Sequence, residues 1–308
     1  MKKDFLTLND LSQKEIQDLL DLAREMKERP SAYRSVLRDR LLAMVFQKPS
    51  TRTRVSFEAA ITGMGGHAIY LGWDQLQLDR GETIEDTGRV LSRYVHGIMA
   101  RVFDHKDLER LAASSTAPVV NGLSDVYHPA QILSDLLTIH EKKERLKGIS
   151  LAYIGDGNNV CNSLLLGTTK LGVNISVASP PGFAPQKDIV QRAKLNADES
   201  GSGIKIMEDP RRAALGADVI YTDVFVSMGM EKERESRLRA FLPRYRVNAD
   251  LMEIAAEGSL FMHCLPAHRG EEVSGSVIDG ERSVVWDQAE NRLHAQKALL
   301  YTLLGNKA

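Results

Sequence analysis

Short apolar runs alternate with segments of helical spacing along almost the whole chain, and this alternation limits the fold more than any other feature. Leu41 to Phe46, His67 to Leu71, Gly97 to Phe103 and Pro118 to Val120 read as strands. Between them, stretches such as Val55 to Ile61 and Thr83 to Tyr94 place apolar residues three and four apart, the spacing of an amphipathic helix. A strand that is followed by a helix and then another strand forms a parallel pair through a right-handed crossover. Ser12-Gln13-Lys14-Glu15 reads as a capping box for a first helix, which Arg29-Pro30 stops. A long helix opening at His128-Pro129 runs out in Glu141-Lys142-Lys143-Glu144-Arg145, and a domain boundary is expected there.

The second half repeats the pattern. Ser150 to Ile154, Ile175 to Ala178, Ile204 to Met207, Asp218 to Thr222, Leu260 to His263 and Ser283 to Trp286 read as strands. A helix from Cys161 follows the first of these, and Ala289 to Leu304 reads as a last amphipathic helix. The expected fold class is α/β, with two open, mostly parallel α/β/α domains at residues 1–145 and 146–288. Residues 289–308 would form a C-terminal helix packing back towards the N-terminal domain. A chain of 308 residues is long enough for two domains of about 150 each. In such sheets ligands bind beyond the carboxyl ends of the strands, so the loops there carry the candidate sites.

Composition narrows the functional classes. Forty basic against 41 acidic side chains give a net charge of −1, which argues for neither nucleic acid nor an anionic membrane as a partner. No apolar run approaches the roughly 18 residues of a membrane span. Met1-Lys2-Lys3-Asp4 leads into a mixed polar stretch, unlike an apolar signal core. Cys161 and Cys264 are the two cysteines, fitting a reducing compartment and offering no Cys-x-x-Cys zinc pair. A cytoplasmic protein acting on small molecules is expected.

Five stretches carry chemistry. In Lys48-Pro49-Ser50-Thr51-Arg52-Thr53-Arg54 a strand turns into a helix N-terminus. The first amides of a helix lack internal partners and favour an anion, while arginine adds planar donors that match phosphate. The plainer reading is a helix cap with solvated arginines. In His128-Pro129-Ala130-Gln131, His and Gln can each donate to a carbonyl oxygen, although the stretch could equally be a turn. Gly155-Asp156-Gly157-Asn158-Asn159 lacks the third glycine of a dinucleotide loop, Val160 standing there, and Val177-Ala178-Ser179-Pro180 lacks the ribose-binding acid. Its paired asparagines suit a polar clamp. In Asp223-Val224-Phe225-Val226-Ser227-Met228-Gly229, Asp223 and Ser227 could hold an ammonium and Met228 could offer its amide, or the loop is an ordinary connection. In His263-Cys264-Leu265-Pro266 the cysteine is either functional or simply buried. Two arginines stand outside these stretches. Arg101 ends its strand, as a substrate contact or an exposed residue. Arg292 is placed in the first turn of the last helix, where the dipole disfavours a cation and a ligand role is favoured. Trp73 to Glu82 reads as a polar loop with no evident packing role.

Ser50-Thr51-Arg52-Thr53-Arg54 resembles the carbamoyl-phosphate signature of the aspartate and ornithine carbamoyltransferases. His128-Pro129-Ala130-Gln131 with Leu133 and Asp135 is similar to the family's His-Pro-x-Gln-x-Leu-x-Asp pattern. Asp-x-x-x-Ser-Met-Gly at Asp223 and His-Cys-Leu-Pro at His263 resemble the ornithine-type members, whereas aspartate-type members usually carry His-Pro-Leu-Pro. The resemblance runs from the first helix to the last and implies an active site in the cleft between the domains. It implies that Ser50, Thr51, Arg52 and Thr53 bind the phosphate of carbamoyl phosphate. Arg101, His128 and Gln131 would bind the carbamoyl end, and Cys264, Leu265 and Arg292 would complete the site, with Arg101, His128 and Cys264 catalytic. Asn159, Asp223, Ser227 and Met228 would bind ornithine. The implied reaction transfers a carbamoyl group to the δ-amine of ornithine without metal or cofactor. The alternatives are a relative acting on putrescine, an acylated ornithine or aspartate, or a catalytically silent binding protein. A homotrimer is also implied, in which Gln77 of one subunit completes its neighbour's site. Leu78-Asp79-Arg80-Gly81 departs from the family by carrying Asp where Gly is frequent, and Cys161-Asn162 falls where relatives vary.

Overall fold

Buried, β-branched and apolar runs form the centre of two parallel sheets, because only a strand covered on both faces can be apolar along its whole length. The computed structural model describes residues 3–305 and divides them into two units, 3–137 with 291–305, and 138–290. In the first, β1 (Leu41–Phe46), β2 (His67–Gly72), β3 (Gly97–Arg101) and β4 (Val119–Leu123) lie in the order β2-β1-β3-β4, every pair parallel. The helices are α1 (Gln13–Glu28), α2 (Thr51–Thr62), α3 (Ile84–Tyr94), α4 (His105–Ser114) and α5 (Pro129–Lys143). In the second unit, β5 (Ser150–Ile154), β6 (Asn174–Ala178), β7 (Ile204–Met207), β8 (Val219–Thr222) and β9 (Leu260–His263) lie in the order β7-β6-β5-β8-β9, again all parallel. Its helices are α6 (Asn159–Lys170), α7 (Lys187–Ser200), α8 (Pro210–Ala214), α9 (Arg234–Phe241), α10 (Ala249–Glu253) and α11 (Gly275–Ile278). The chain passes into the second unit within α5 and returns within α12 (Val285–Leu304).

The expected capping box at Ser12 is formed, with Glu15 bonded back to the Ser12 amide at 2.8 Å. Ile16, Leu19, Leu20, Ala23 and Met26 make the buried stripe of α1. In each sheet the strand order reverses once, between β1 and β3 and between β5 and β8. Successive crossovers leave to opposite faces at such a point, which opens a gap beyond the strand ends.

Three local expectations need correction. Ser283 to Trp286 is no strand: Ser283 makes a single bridge to Phe261, and α12 begins at Val285, a turn before Ala289. Val285 and Gln288 are both buried while Trp286 is 64% exposed, the three-residue recurrence of a helix and not the simple alternation of a strand. An apolar run this short has the same composition in a strand and in a buried helical turn. Residues 73 to 82 form two 3-10 turns, Trp73–Gln75 and Gln77–Arg80, and Trp73 and Leu76 pack against the core of the first unit. Gly81 supplies the left-handed residue that closes the second turn, at φ 96°, and Asp79 is not asked for that conformation. Finally, α6 begins at Asn159 and not Cys161, because Asn158 Oδ1 accepts from the amides of Val160 and Cys161.

The turn after β5 explains one of its glycines without any nucleotide. Gly157 donates its amide to the Phe183 carbonyl at 2.8 Å, and a Cβ there would lie 2.3 Å from the Pro185 nitrogen and 2.5 Å from the Ala184 carbonyl carbon. Backbone atoms yield little. Gly157→Ala is therefore expected to lose about 1–3 kcal/mol of stability by overpacking, read as a lower urea midpoint at unchanged slope. A parental midpoint would show that residues 184–185 move aside freely.

Candidate active site

In the first unit the gap lies between the ends of β1 and β3. Their register sets Phe46 beside Arg101, and the Gln47 amide donates to the Arg101 carbonyl at 2.8 Å. Ser50 caps α2, its hydroxyl accepting from the Thr53 amide at 3.2 Å. Thr51 and Arg52 occupy the first turn, exposed and half-buried, beside amides that have no partner within the helix. Lys48 is buried with its Nζ 4.2 Å from the centre of the Phe103 ring. Burial, followed by the Arg101 charge, holds its ammonium below the usual lysine range.

A hydrogen-bonded chain joins three helices here. Arg292 Nη2 donates to Thr53 Oγ1 at 2.8 Å and its Nη1 donates to Gln131 Oε1 at 2.8 Å. Gln131 Nε2 then donates to Asp135 Oδ1 at 2.9 Å. All four side chains are buried. Because α12 starts at Val285, Arg292 stands in its third turn and not its first, so the helix-dipole argument made from sequence does not apply. What sets its place is the pair of acceptors on α2 and α5. His128, at the start of α5, is 4% exposed. Burial, and then the charges of Arg292 and Arg101, hold its imidazole well below the usual histidine range. Gln77 lies outside this group, exposed at the start of its 3-10 turn.

In the second unit the gap lies between β5 and β8. Asp223, just past β8, is 6% exposed and accepts from Asn158 Nδ2 at 2.7 Å and from the Cys264 thiol at 3.1 Å. Asn158 is thus fixed at both ends, since its oxygen caps α6, and Asn159 follows as the half-buried first residue of that helix. Ser227 and Met228 lie further along the loop from Asp223, Met228 being 49% exposed.

Cys264 and Leu265 follow β9. Leu265 takes φ 59°, a left-handed conformation that costs a β- or γ-branched residue about 1–3 kcal/mol. Its amide donates to His263 Nδ1 at 2.9 Å, so the His263 proton sits on Nε2 and is donated to Glu272 at 3.2 Å. Burial alone would raise the Glu272 carboxyl, but the His263 and His268 donors outweigh it and hold it below the usual range. Asp223, His263 and Cys264 could together gather a metal ion, yet both His263 nitrogens are already engaged by this arrangement.

Sequence reasoning missed Asp156 and Arg237. Arg237, on α9, pairs with Asp156 in the turn after β5, and both are buried. Burial pushes the Asp156 carboxyl up to about 6, with Asp223 adding to the rise and Arg237 opposing it. An acid between two glycines at a strand end was a usable signal for Asp156; nothing in the sequence links it to residue 237.

The family models for the carbamoyl-P binding domain and the Asp/Orn binding domain of aspartate/ornithine carbamoyltransferase match residues 3–141 and 147–303. The ornithine carbamoyltransferase of Pyrococcus horikoshii is 54% identical over 305 residues, covering 98% of this chain and 96% of that one. The anabolic ornithine carbamoyltransferase of Pyrococcus furiosus is also 54% identical, with the same coverage. The solved ornithine carbamoyltransferase structure from Pyrococcus furiosus superposes with a TM-score of 0.95 over 99% of this chain and 98% of that one.

The depressed His128 has a consequence for stability. A histidine whose folded pKa lies below its unfolded value of about 6.5 takes up protons preferentially in the unfolded chain. Its contribution therefore erodes stability as pH falls below about 6.5, by up to about 1.4 kcal/mol per pH unit until the folded pKa is reached. His128→Gln should flatten the acid side of the stability curve between roughly pH 6.5 and pH 5, measured by urea unfolding. Parallel curves for parent and variant would contradict a buried, neutral His128.

Proposed function

The chain belongs to the aspartate/ornithine carbamoyltransferase family, and we propose that it transfers the carbamoyl group of carbamoyl phosphate to the δ-amine of L-ornithine, giving L-citrulline and phosphate. The observation that most supports this reading is the pairing of two gaps in one chain. One is rimmed by a hydroxyl- and guanidinium-rich helix start, the other by a buried carboxylate next to Ser227-Met228-Gly229. The anabolic Pyrococcus furiosus relative supports a place in arginine biosynthesis. Among the described residues no helix is long and apolar enough to cross a membrane, and a cytoplasmic location is part of the proposal.

In the proposed mechanism, residues 1–145 hold carbamoyl phosphate. Ser50, Thr51, Arg52 and Thr53 bind the phosphate, where α2 amides and guanidinium groups favour an anion. Arg101, His128 and Gln131 address the carbamoyl oxygen. Gln131 is oriented by Arg292 on its oxygen and Asp135 on one amide hydrogen, which leaves the second hydrogen for the substrate. His128, held neutral, polarises the carbonyl as a hydrogen-bond donor. Residues 146–288 hold ornithine: Asn159 takes the α-carboxylate, Asp223 and Ser227 the α-ammonium, and Met228 contributes its amide. Cys264, Leu265 and Arg292, the last from the segment 289–308, complete the site. The δ-amine attacks the carbonyl, a tetrahedral intermediate forms, and phosphate leaves with a proton from the amine.

Alignment of two bound reactants can contribute about 7–11 kcal/mol, and the arginines neutralise charge growing on the leaving phosphate. The amine must first lose its own proton. With a lysine-like pKa of about 10.4, only about one molecule in 2,500 is neutral near pH 7.

Offering ornithine, putrescine, aspartate and acetylornithine in parallel with carbamoyl phosphate tests the substrate, citrulline from ornithine being the expected product. Asp223→Asn keeps the shape and removes the charge. Losing a charged hydrogen bond of about 1.5–3 kcal/mol should raise the KM for ornithine roughly ten- to hundredfold, while carbamoyl phosphate binding stays near parental. The reverse pattern would sink the assignment of substrates to the two units.

We also propose a homotrimer in which the Trp73 to Glu82 loop of one subunit brings Gln77 to its neighbour's phosphate site. Arg52→Ala and Gln77→Ala subunits, each impaired alone, should regain part of the parental rate once dissociated and reassembled together. Verified hybrid trimers that stay inactive would mean that Gln77 does not act across subunits.

A further inference from the structure

Arg237 and Asp156 form a buried ion pair next to Asp223, yet neither belongs to the ligand set proposed above. Burying such a pair costs several kcal/mol of desolvation per ion, and apolar replacements are often as stable, so packing alone is a weak reason for it. The contacts of Arg237 suggest another reason. Its Nη2 meets Asp156, its Nε donates to the Phe225 carbonyl at 2.7 Å, and its Nη1 reaches Glu233 at 3.4 Å. The guanidinium carbon lies 5.0 Å from the centre of the Phe183 ring.

Those partners lie in different segments. Asp156 is in the turn after β5, Phe183 is in the turn that closes on Gly157, and Phe225 is in the loop that begins at Asp223. That loop is fixed at its start by Asn158 and Cys264 on Asp223. Two residues on, Phe225 is buried, stacked on Phe241 at 4.5 Å, with its carbonyl held by Arg237. Beyond that point the loop leaves the core, Met228 being 49% and Met230 37% exposed. Phe225 is the last buried residue before Ser227 and Met228.

We propose that Arg237 is a positioning residue for the amino-acid substrate: one planar guanidinium bridges Asp156 and the Phe225 carbonyl and so sets where Ser227 and Met228 stand relative to Asp223. The inference rests on the reading of that loop as the ornithine site. A lysine can keep the charge against Asp156 but lacks the rigid fork that reaches both acceptors together. Arg237 is thus needed for its shape as well as its charge.

Full-length Arg237→Gly, assayed for citrulline at saturating carbamoyl phosphate, should raise the KM for ornithine about tenfold or more, the size of one lost charged hydrogen bond. kcat and the KM for carbamoyl phosphate should stay near parental. Guanidinium chloride at low millimolar concentration should restore much of the ornithine KM, and sodium chloride should not. Arg237→Lys covers the case in which the glycine variant does not fold: a parental urea midpoint with a raised ornithine KM is expected. A glycine variant impaired equally towards both substrates, an absence of guanidinium rescue, or a lysine variant with parental ornithine KM would each overturn the role. If the parent protein makes citrulline while the variants behave in these latter ways, only this inference fails. A parent that makes none from ornithine removes the substrate reading along with it.

Discussion

A parallel sheet delivers every strand's carboxyl end to the same edge, and a single reversal of strand order opens that edge. Everything chemical in this chain hangs on that constraint, which is met once in each unit. Between β1 and β3 it sets Ser50 and Arg101 at neighbouring strand ends, and between β5 and β8 it does the same for Asn158 and Asp223. The loops contribute side chains, but the gap they surround is a product of topology. That is why residues far apart in the chain meet without any long loop being needed to carry them.

Much of this was legible in advance because it depends on local pattern. Leu41 to Phe46 and Ser150 to Ile154 are strands at the residues where the apolar runs stand. Ser50 caps α2, and the capping box at Ser12 forms as written. Val284-Val285-Trp286 was misread because a short apolar run has no period, and the burial of Val285 beside the exposure of Trp286 appears only in three dimensions. The position of Arg292 inherited that error. The missing third glycine already argued against a nucleotide loop at Gly157, but the Pro185 backbone that presses on it could not be read from the sequence. The Asp156–Arg237 pair, 81 residues apart, and the His263–Glu272 pair that supports the left-handed Leu265 are products of tertiary packing. No spacing rule reaches them.

The two units manage buried charge in opposite ways. The first gathers cations: Lys48, Arg101 and Arg292 are buried in it, and His128 responds by staying neutral. The second gathers anions, with Asp156 and Asp223 close enough that one raises the other and Arg237 compensates. Each unit thereby carries the sign complementary to the substrate group assigned to it, although the whole chain is nearly neutral at −1. Net charge concealed what local charge displays.

The hydrogen bond from Arg292 to Thr53 closes a loop of 239 residues, and the one to Gln131 closes 161. Contacts of such separation form late, since the entropy of closing the intervening chain must be met first. On a ribosome the consequence is sharper. Thr53 and Gln131 emerge early, whereas Arg292 follows them by 239 and 161 residues. The N-terminal unit therefore cannot complete its own polar centre until Arg292 has emerged, and the second unit, contained in one continuous stretch, has all of its residues available first. A polar centre that waits for Arg292 is one that a chain made only as far as the second unit does not possess.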